Sequence, residues 1–173
     1  ALKIYRQLET DFPGNAQTAL LTGLVLAQQN QPTEARRAFN QALERSPGLV
    51  PALERLAALD IAEKKIDDAL RRVEAEVARN PTATGVRNLL ARICITKKDT
   101  ARALDELRKT LELQPDNSEA CYLLAQLYLQ SNEDQKALAN LQTVIGKTPG
   151  NIAAWLLIAQ IHEQRKEYPA ARD

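Results

Sequence analysis

The chain of 173 residues is short of what enzyme chemistry draws on: one His, two Cys, no Met and six Gly. His162 is the only imidazole, and no Ser or Cys nucleophile falls beside it in the sequence pattern to form a nucleophile–base couple. Neither His162 nor Cys94 nor Cys121 sits at metal-ligand spacing, and no C-x-x-C pair exists. There is no Gly-rich phosphate loop, no H-E-x-x-H helix and no EF-hand loop. Aromatics are 4% of the chain, too few to stack nucleic-acid bases, so the core must be aliphatic and rich in alanine. Neither sign of charge dominates: 23 Lys and Arg stand against 22 Asp and Glu, which withholds the positive field that nucleic acid or an anionic membrane requires. No apolar run approaches the roughly 18 residues of a membrane span. The expectation is a non-enzymatic protein with no catalytic residue, metal or cofactor, no nucleic-acid partner and no membrane insertion.

What the chain has instead is a period. Pro13, Pro47, Pro81, Pro115 and Pro149 stand 34 residues apart with no insertion. A second column in the same phase holds Ala1, Ala35, Ala69, Ala103, Ala137 and Ala171, and a third holds Gly23, Ala57, Ala91, Ala125 and Ala159. Fixed spacing means one structural unit copied and stacked. Two columns of small side chains predict two helices that cross closely, where a larger residue would cost about 1–3 kcal/mol by overpacking.

Around those columns the apolar residues follow helical spacing. Cys121, Leu124, Ala125 and Tyr128 fall at i, i+3, i+4 and i+7, and a second stripe runs through Ala137, Leu138, Leu141, Val144 and Ile145. Each unit therefore reads as a helical hairpin. First helices are predicted over about 16–29, 50–63, 84–97, 118–131 and 152–165, and second helices over about 2–11, 33–45, 66–79, 100–113 and 134–146. Pro32 and Pro169 suit the start of a second helix, and Thr100, Ser118 and Asp134 are candidate N-caps. Both cysteines fall at apolar positions and read as small buried hydrophobes.

Trp155-x-x-Ile158-Ala159-x-x-His162 and Cys121-x-x-Leu124-Ala125-x-x-Tyr128 resemble the W-x-x-L-G-x-x-Y signature of the tetratricopeptide repeat. With the Ala column, Phe39, Leu141 and the closing Pro, the resemblance spans the chain: a half repeat (1–15), four repeats (16–49, 50–83, 84–117, 118–151) and a truncated one (152–173). It implies an all-α fold, an α-α superhelix of antiparallel hairpins forming a single solenoid segment. Pentatricopeptide repeats, the nearest confusable family, usually step by 35.

Some positions depart from the family pattern. Asp60 and His162 occupy a column usually filled by Tyr or another large apolar residue. Glu76 stands where a small residue is expected, and Arg87 where Trp or Leu is expected. Facing each other across consecutive repeats, Glu76 and Arg87 are expected to form a partly buried ion pair. The basic pairs Arg36-Arg37 and Arg71-Arg72 are expected to balance Glu34, Asp67, Asp68 and Glu74 on their own helices.

In the resembled family, first helices line a concave groove that grips a peptide or a partner's helix. Carried over by position, that role falls on Leu20, Leu24, Glu54, Ala58, Ile61, Asn88, Arg92, Ile95, Tyr122, Gln126, Leu129, Leu156 and Gln160. Asn88 and Gln126 would pair with a peptide backbone, Arg92 would take a carboxylate, and Tyr122 is the strongest anchor candidate. The carboxylate clamp of the chaperone-tail-binding subclass is absent in this register, where Leu20, Leu24, Arg55, Gly85 and Leu89 stand. The expected function is a protein-interaction scaffold with a protein or peptide ligand. The alternative is self-assembly, a homo-oligomer stacking end to end through its truncated repeats, in a larger complex such as those of the bacterial envelope or secretion. The pattern assigns no compartment.

Overall fold

The computed structural model describes residues 2–12 and 14–165. Ala1, Pro13, Pro169 and Ala171 lie outside the described residues. Among the described residues there are ten helices and no strand: α1 (Leu2–Asp11), α2 (Ala16–Gln28), α3 (Pro32–Arg45), α4 (Val50–Ala62), α5 (Ile66–Arg79), α6 (Thr84–Lys97), α7 (Thr100–Leu113), α8 (Ser118–Gln130), α9 (Asp134–Lys147) and α10 (Ile152–Gln164). Every limit lies within a residue of its expected place. The fold divides into two compact units, residues 1–93 and 94–173, with the division falling inside α6.

The small columns do what their size requires. Ala35 and Ala69 in the first unit, and Ala103 and Ala137 in the second, have no exposed surface. Gly23 is obligatory: a Cβ there would lie 2.4 Å from Cε1 of Phe39, inside the ring's van der Waals envelope. The column of Phe39 continues as Val73, Leu107 and Leu141, all buried. Thus the bulkiest of these four residues appears in the repeat that has Gly rather than Ala, as volume conservation in a close-packed core demands. In the first unit Phe39, Leu26, Leu20 and Leu56 join the buried alanines in one aliphatic core.

The turn inside each hairpin is built the same way four times. Asn30, Lys64, Lys98 and Asn132 take left-handed φ of 57°, 61°, 67° and 57°. The next residue then returns its N–H to a carbonyl in the last turn of the first helix: Gln31 to Leu26 (3.0 Å), Lys65 to Asp60 (2.7 Å), Asp99 to Cys94 (2.9 Å) and Glu133 to Tyr128 (2.8 Å). This is the Schellman closure, usually made by Gly. Asn tolerates it, whereas Lys adopts it against its steric preference.

Between hairpins, the residue before each proline closes the second helix, as when Ser46 N–H bonds Ala42 O at 2.9 Å and Asn80 N–H bonds Glu76 O at 2.9 Å. The proline then enters a tight turn, closed at Leu49 N–H to Ser46 O (3.2 Å) and at Ala83 N–H to Asn80 O (3.1 Å). The caps differ from expectation by one residue. Asn117 rather than Ser118 caps α8, and Asp99 rather than Thr100 caps α7, each accepting from a backbone N–H in the first turn. Glu133 precedes α9 without a side-chain cap bond, so Asp134 lies already inside the helix. Pro32 does open α3.

Candidate functional site

In the first unit the proposed groove positions do not form one open face. Leu20 is 3% exposed and belongs to the aliphatic core, and Asn88 is 1% exposed. Both expectations are corrected, because a side chain enclosed by its own fold cannot be gripped by a ligand. Leu24 and Ile61 are half-buried and Ala58 is exposed. Arg92, expected to await a ligand carboxylate, instead meets Glu54 at 2.6 Å from its Nη1. That pair joins α4 to α6 across neighbouring first helices. A ligand carboxylate would have to compete with Glu54 for this guanidinium.

The second unit presents a different surface. On α8, Tyr122, Gln126 and Leu129 are half-buried along one face, and Ile95 near the end of α6 is half-buried too. On α10, Leu156 is 65% exposed and Gln160 is exposed. None of these six side chains carries a charge.

The departures from the repeat pattern resolve into ion pairs other than the one expected. Asp60, 2% exposed, accepts a hydrogen bond from Nη1 of Arg36 and lies 3.3 Å from Nη2 of Arg72. One buried carboxylate on α4 therefore ties α3 to α5. Arg36 also reaches Glu63 at 2.9 Å, and Lys65 holds the other Glu63 oxygen at 2.8 Å. Burial opposes the charge on Arg36, but its hydrogen bonds to Asp60 and Glu63 outweigh that and raise its pKa. The hydrogen bonds from Lys65 and then Arg36 hold the Glu63 carboxyl below its ordinary value. Arg36 and Arg72 thus look across to α4 rather than along their own helices; Arg71 does pair locally, with Asp68. A signal for this was present: Arg36 stands in a column that holds Leu2, Leu70, Leu104 and Leu138, with Arg172 the other departure. Two charged departures in neighbouring columns compensate each other.

Glu76 is buried as expected, but its partner is not Arg87. Arg79, one turn along α5, approaches its Oε2 at 3.4 Å. Nε of Arg87 donates to the carbonyl of Pro81 at 2.8 Å. Glu76 also lines a groove of about 850 Å³ between α3 and α5, with Gly48 at its edge. Cys94 and Cys121 are buried thiols, and burial pushes the Cys121 thiol up, away from the reactive thiolate. Among the described residues no helix is long and apolar enough to cross a membrane, and no group of three or more His, Cys, Asp or Glu side chains could hold a metal.

Comparison with known proteins agrees with this architecture. A family model described as tetratricopeptide repeat matches residues 26–93 and 95–161, and a second of the same description matches 1–50. Among solved structures, MamA is similar at 22% identity, with 86% of this chain and 87% of MamA covered and a TM-score of 0.68. PilF of Pseudomonas aeruginosa is 17% identical over 97% of this chain and 77% of its own, with a TM-score of 0.72. YrrB, described as a TPR protein with an unusual peptide-binding site, is 15% identical over 99% and 88%, with a TM-score of 0.58. At these identities the likeness concerns the fold. Comparison with curated protein sequences returned no significant match. The phased Pro and Ala columns, the repeated hairpins and the family models that match nearly every residue lead to one conclusion: the chain belongs to the tetratricopeptide-repeat family.

Proposed function

We propose that this protein is an interaction scaffold that holds a peptide or a helix of a partner protein on its first-helix faces, chiefly that of the second unit. The observation that carries this reading is the uncharged surface of Tyr122, Gln126 and Leu129 on α8 and of Leu156 and Gln160 on α10. In a chain where 26% of residues are charged, these five positions carry none, with Glu119 and Glu163 as exposed carboxylates at the edge, and exposed apolar patches mark interaction sites. Tyr122 supplies an aromatic anchor, while the amides of Gln126 and Gln160 supply donors and acceptors for a peptide backbone. The peptide-binding site ascribed to YrrB, a protein of similar fold, is consistent with it. In the first unit the Glu54–Arg92 pair divides the equivalent face and offers charge recognition at its edge.

Affinity capture with the wild-type chain, a Tyr122→Ala/Leu156→Ala variant and an exposed second-helix control, Gln142→Ala, tests this. Partners should bind the wild type and the control and be lost from the double variant. Retention by all three would place recognition elsewhere.

Self-association is the second reading. It is favoured by the apolar side chains exposed on α1 (Ile4), just after it (Phe12) and in the first turn of α10 (Ile152), which a second copy could cover. Sedimentation over a concentration range decides it: a monomer at every concentration counts against it.

A further inference from the structure

The groove between α3 and α5 in the first unit is on the second-helix side and takes no part in the reading above. Its volume, about 850 Å³, is that of a ligand cleft, and Leu43, Pro47 and Leu53 give it an apolar wall. The charges lining it are not equivalent. Arg71 is paired with Asp68, Arg72 reaches Asp60, and Arg79 remains 71% exposed while it approaches Glu76. Each arginine already has a carboxylate. The carboxylates are less well served.

The side chain of Glu76 is 9% exposed, and the 3.4 Å approach of Arg79 to Oε2 is its one polar contact among the described residues. Its Oε1 lies over Gly48, at the point where a Cβ on that residue would come within 2.8 Å. Glu44, exposed on α3 at the rim of the same groove, makes no ion pair among the described residues. A buried carboxylate with so weak a partner is costly. The other repeats avoid it, with Ala42, Thr110 and Val144 in that column. With Arg71 and Arg72 each held by an aspartate, Glu44 and Glu76 face Arg79 alone, an excess of one negative charge beside apolar surface suited to an aliphatic stem.

We propose that this groove seats a Lys or Arg side chain from a segment of a partner protein. The stem would lie along Leu43, Pro47 and Leu53, and the cationic head would donate to Oε1 of Glu76 with Glu44 at the entrance. An anionic occupant is disfavoured because the three arginines are engaged, although Nε of Arg72 is buried without an acceptor.

The test is amide NMR of the full chain titrated with acetylated, amidated pentapeptides that have Arg, Lys, norleucine or Glu between flanking alanines, at matched ionic strength. The Arg and Lys peptides should give saturable shifts at the Gly48, Ala75 and Glu76 amides, while the norleucine and Glu peptides should not. Affinity should fall about tenfold in Glu76→Gln, which keeps size and removes charge, and about threefold in Glu44→Gln, whose exposed site does not threaten folding. No saturable shift, equal shifts from norleucine, shifts from the Glu peptide, or unchanged affinity in both variants would each overturn the proposal.

Discussion

Arg87 and Trp155 stand two repeat lengths apart and make the same bond. Nε of Arg87 donates to Pro81 O and Nε1 of Trp155 donates to Pro149 O, each at 2.8 Å and each to the residue six positions earlier. A planar N–H group thus serves the proline carbonyl at these two positions of the Trp column, which also holds Ala19, Leu53 and Cys121. The bond gives Arg87 a structural role in a column where its charge looked anomalous. Replacing Trp155 by Phe keeps the ring and removes the donor, so it should cost about 0.5–1.5 kcal/mol. Because Trp155 is the only Trp, urea unfolding has to be followed by circular dichroism rather than fluorescence.

The charge cluster on Asp60 makes a sharper prediction. Asp60→Leu alone should destabilise by roughly 3–5 kcal/mol, since it takes the buried carboxylate from both Arg36 and Arg72, and Arg36→Leu by less, since Asp60 keeps Arg72 at 3.3 Å. The double variant returns both columns to the apolar residues of their neighbours, Leu26 and Leu70, and should recover most of that loss. A double-mutant cycle by urea denaturation reads the coupling; additive losses would show that the two residues act independently.

At Lys64, with φ of 61°, a lysine holds the left-handed closure that asparagine holds in the first and fourth hairpins. Lys64→Asn should raise stability by about 0.5–1 kcal/mol, seen as a higher urea midpoint with the slope unchanged. A lower midpoint would mean that the backbone is not strained there.

Gly48 combines a φ of 77° with the close approach to Glu76. Gly48→Ala should cost about 1–3 kcal/mol, through both backbone strain and the clash. In a Glu76→Ala background the clash is gone and the strain remains, so the cost should shrink without vanishing. Equal costs in the two backgrounds would assign the whole effect to the backbone.

Acid should weaken the fold through Glu63. Its folded pKa lies below the ordinary 4.5, so its stabilising effect is complete above that value and is lost as pH falls through the folded pKa. Stability measured from about pH 5 downward should therefore fall less steeply in Glu63→Gln than in the wild type. Identical slopes would remove Glu63 from the acid response.

The repeat made the helices legible because each limit is marked locally, by the Pro column at one end of a second helix and by helical apolar spacing throughout. It did not show that Lys64 and Lys98 adopt left-handed backbone, because Gly or Asn normally signals that conformation and the column holds both Lys and Asn. Burial at Leu20 and Asn88 was hidden for another reason. Spacing within one helix gives the direction of a side chain, whereas exposure depends on which neighbouring helix covers it. The Asp60 cluster was readable in principle, through the paired departures at Arg36 and Asp60. Pairing Glu76 with Arg87 failed because each found a nearer partner on its own helix or in the preceding turn.

The first-helix face of the second unit is the surface proposed to receive the partner. The direct measurement is hydrogen–deuterium exchange of the full chain, free and bound to a partner recovered by capture. Binding should slow exchange in α8 and α10 and leave α7 and α9 unchanged. Slowing confined to α7 and α9, with α8 and α10 as in the free chain, would contradict it.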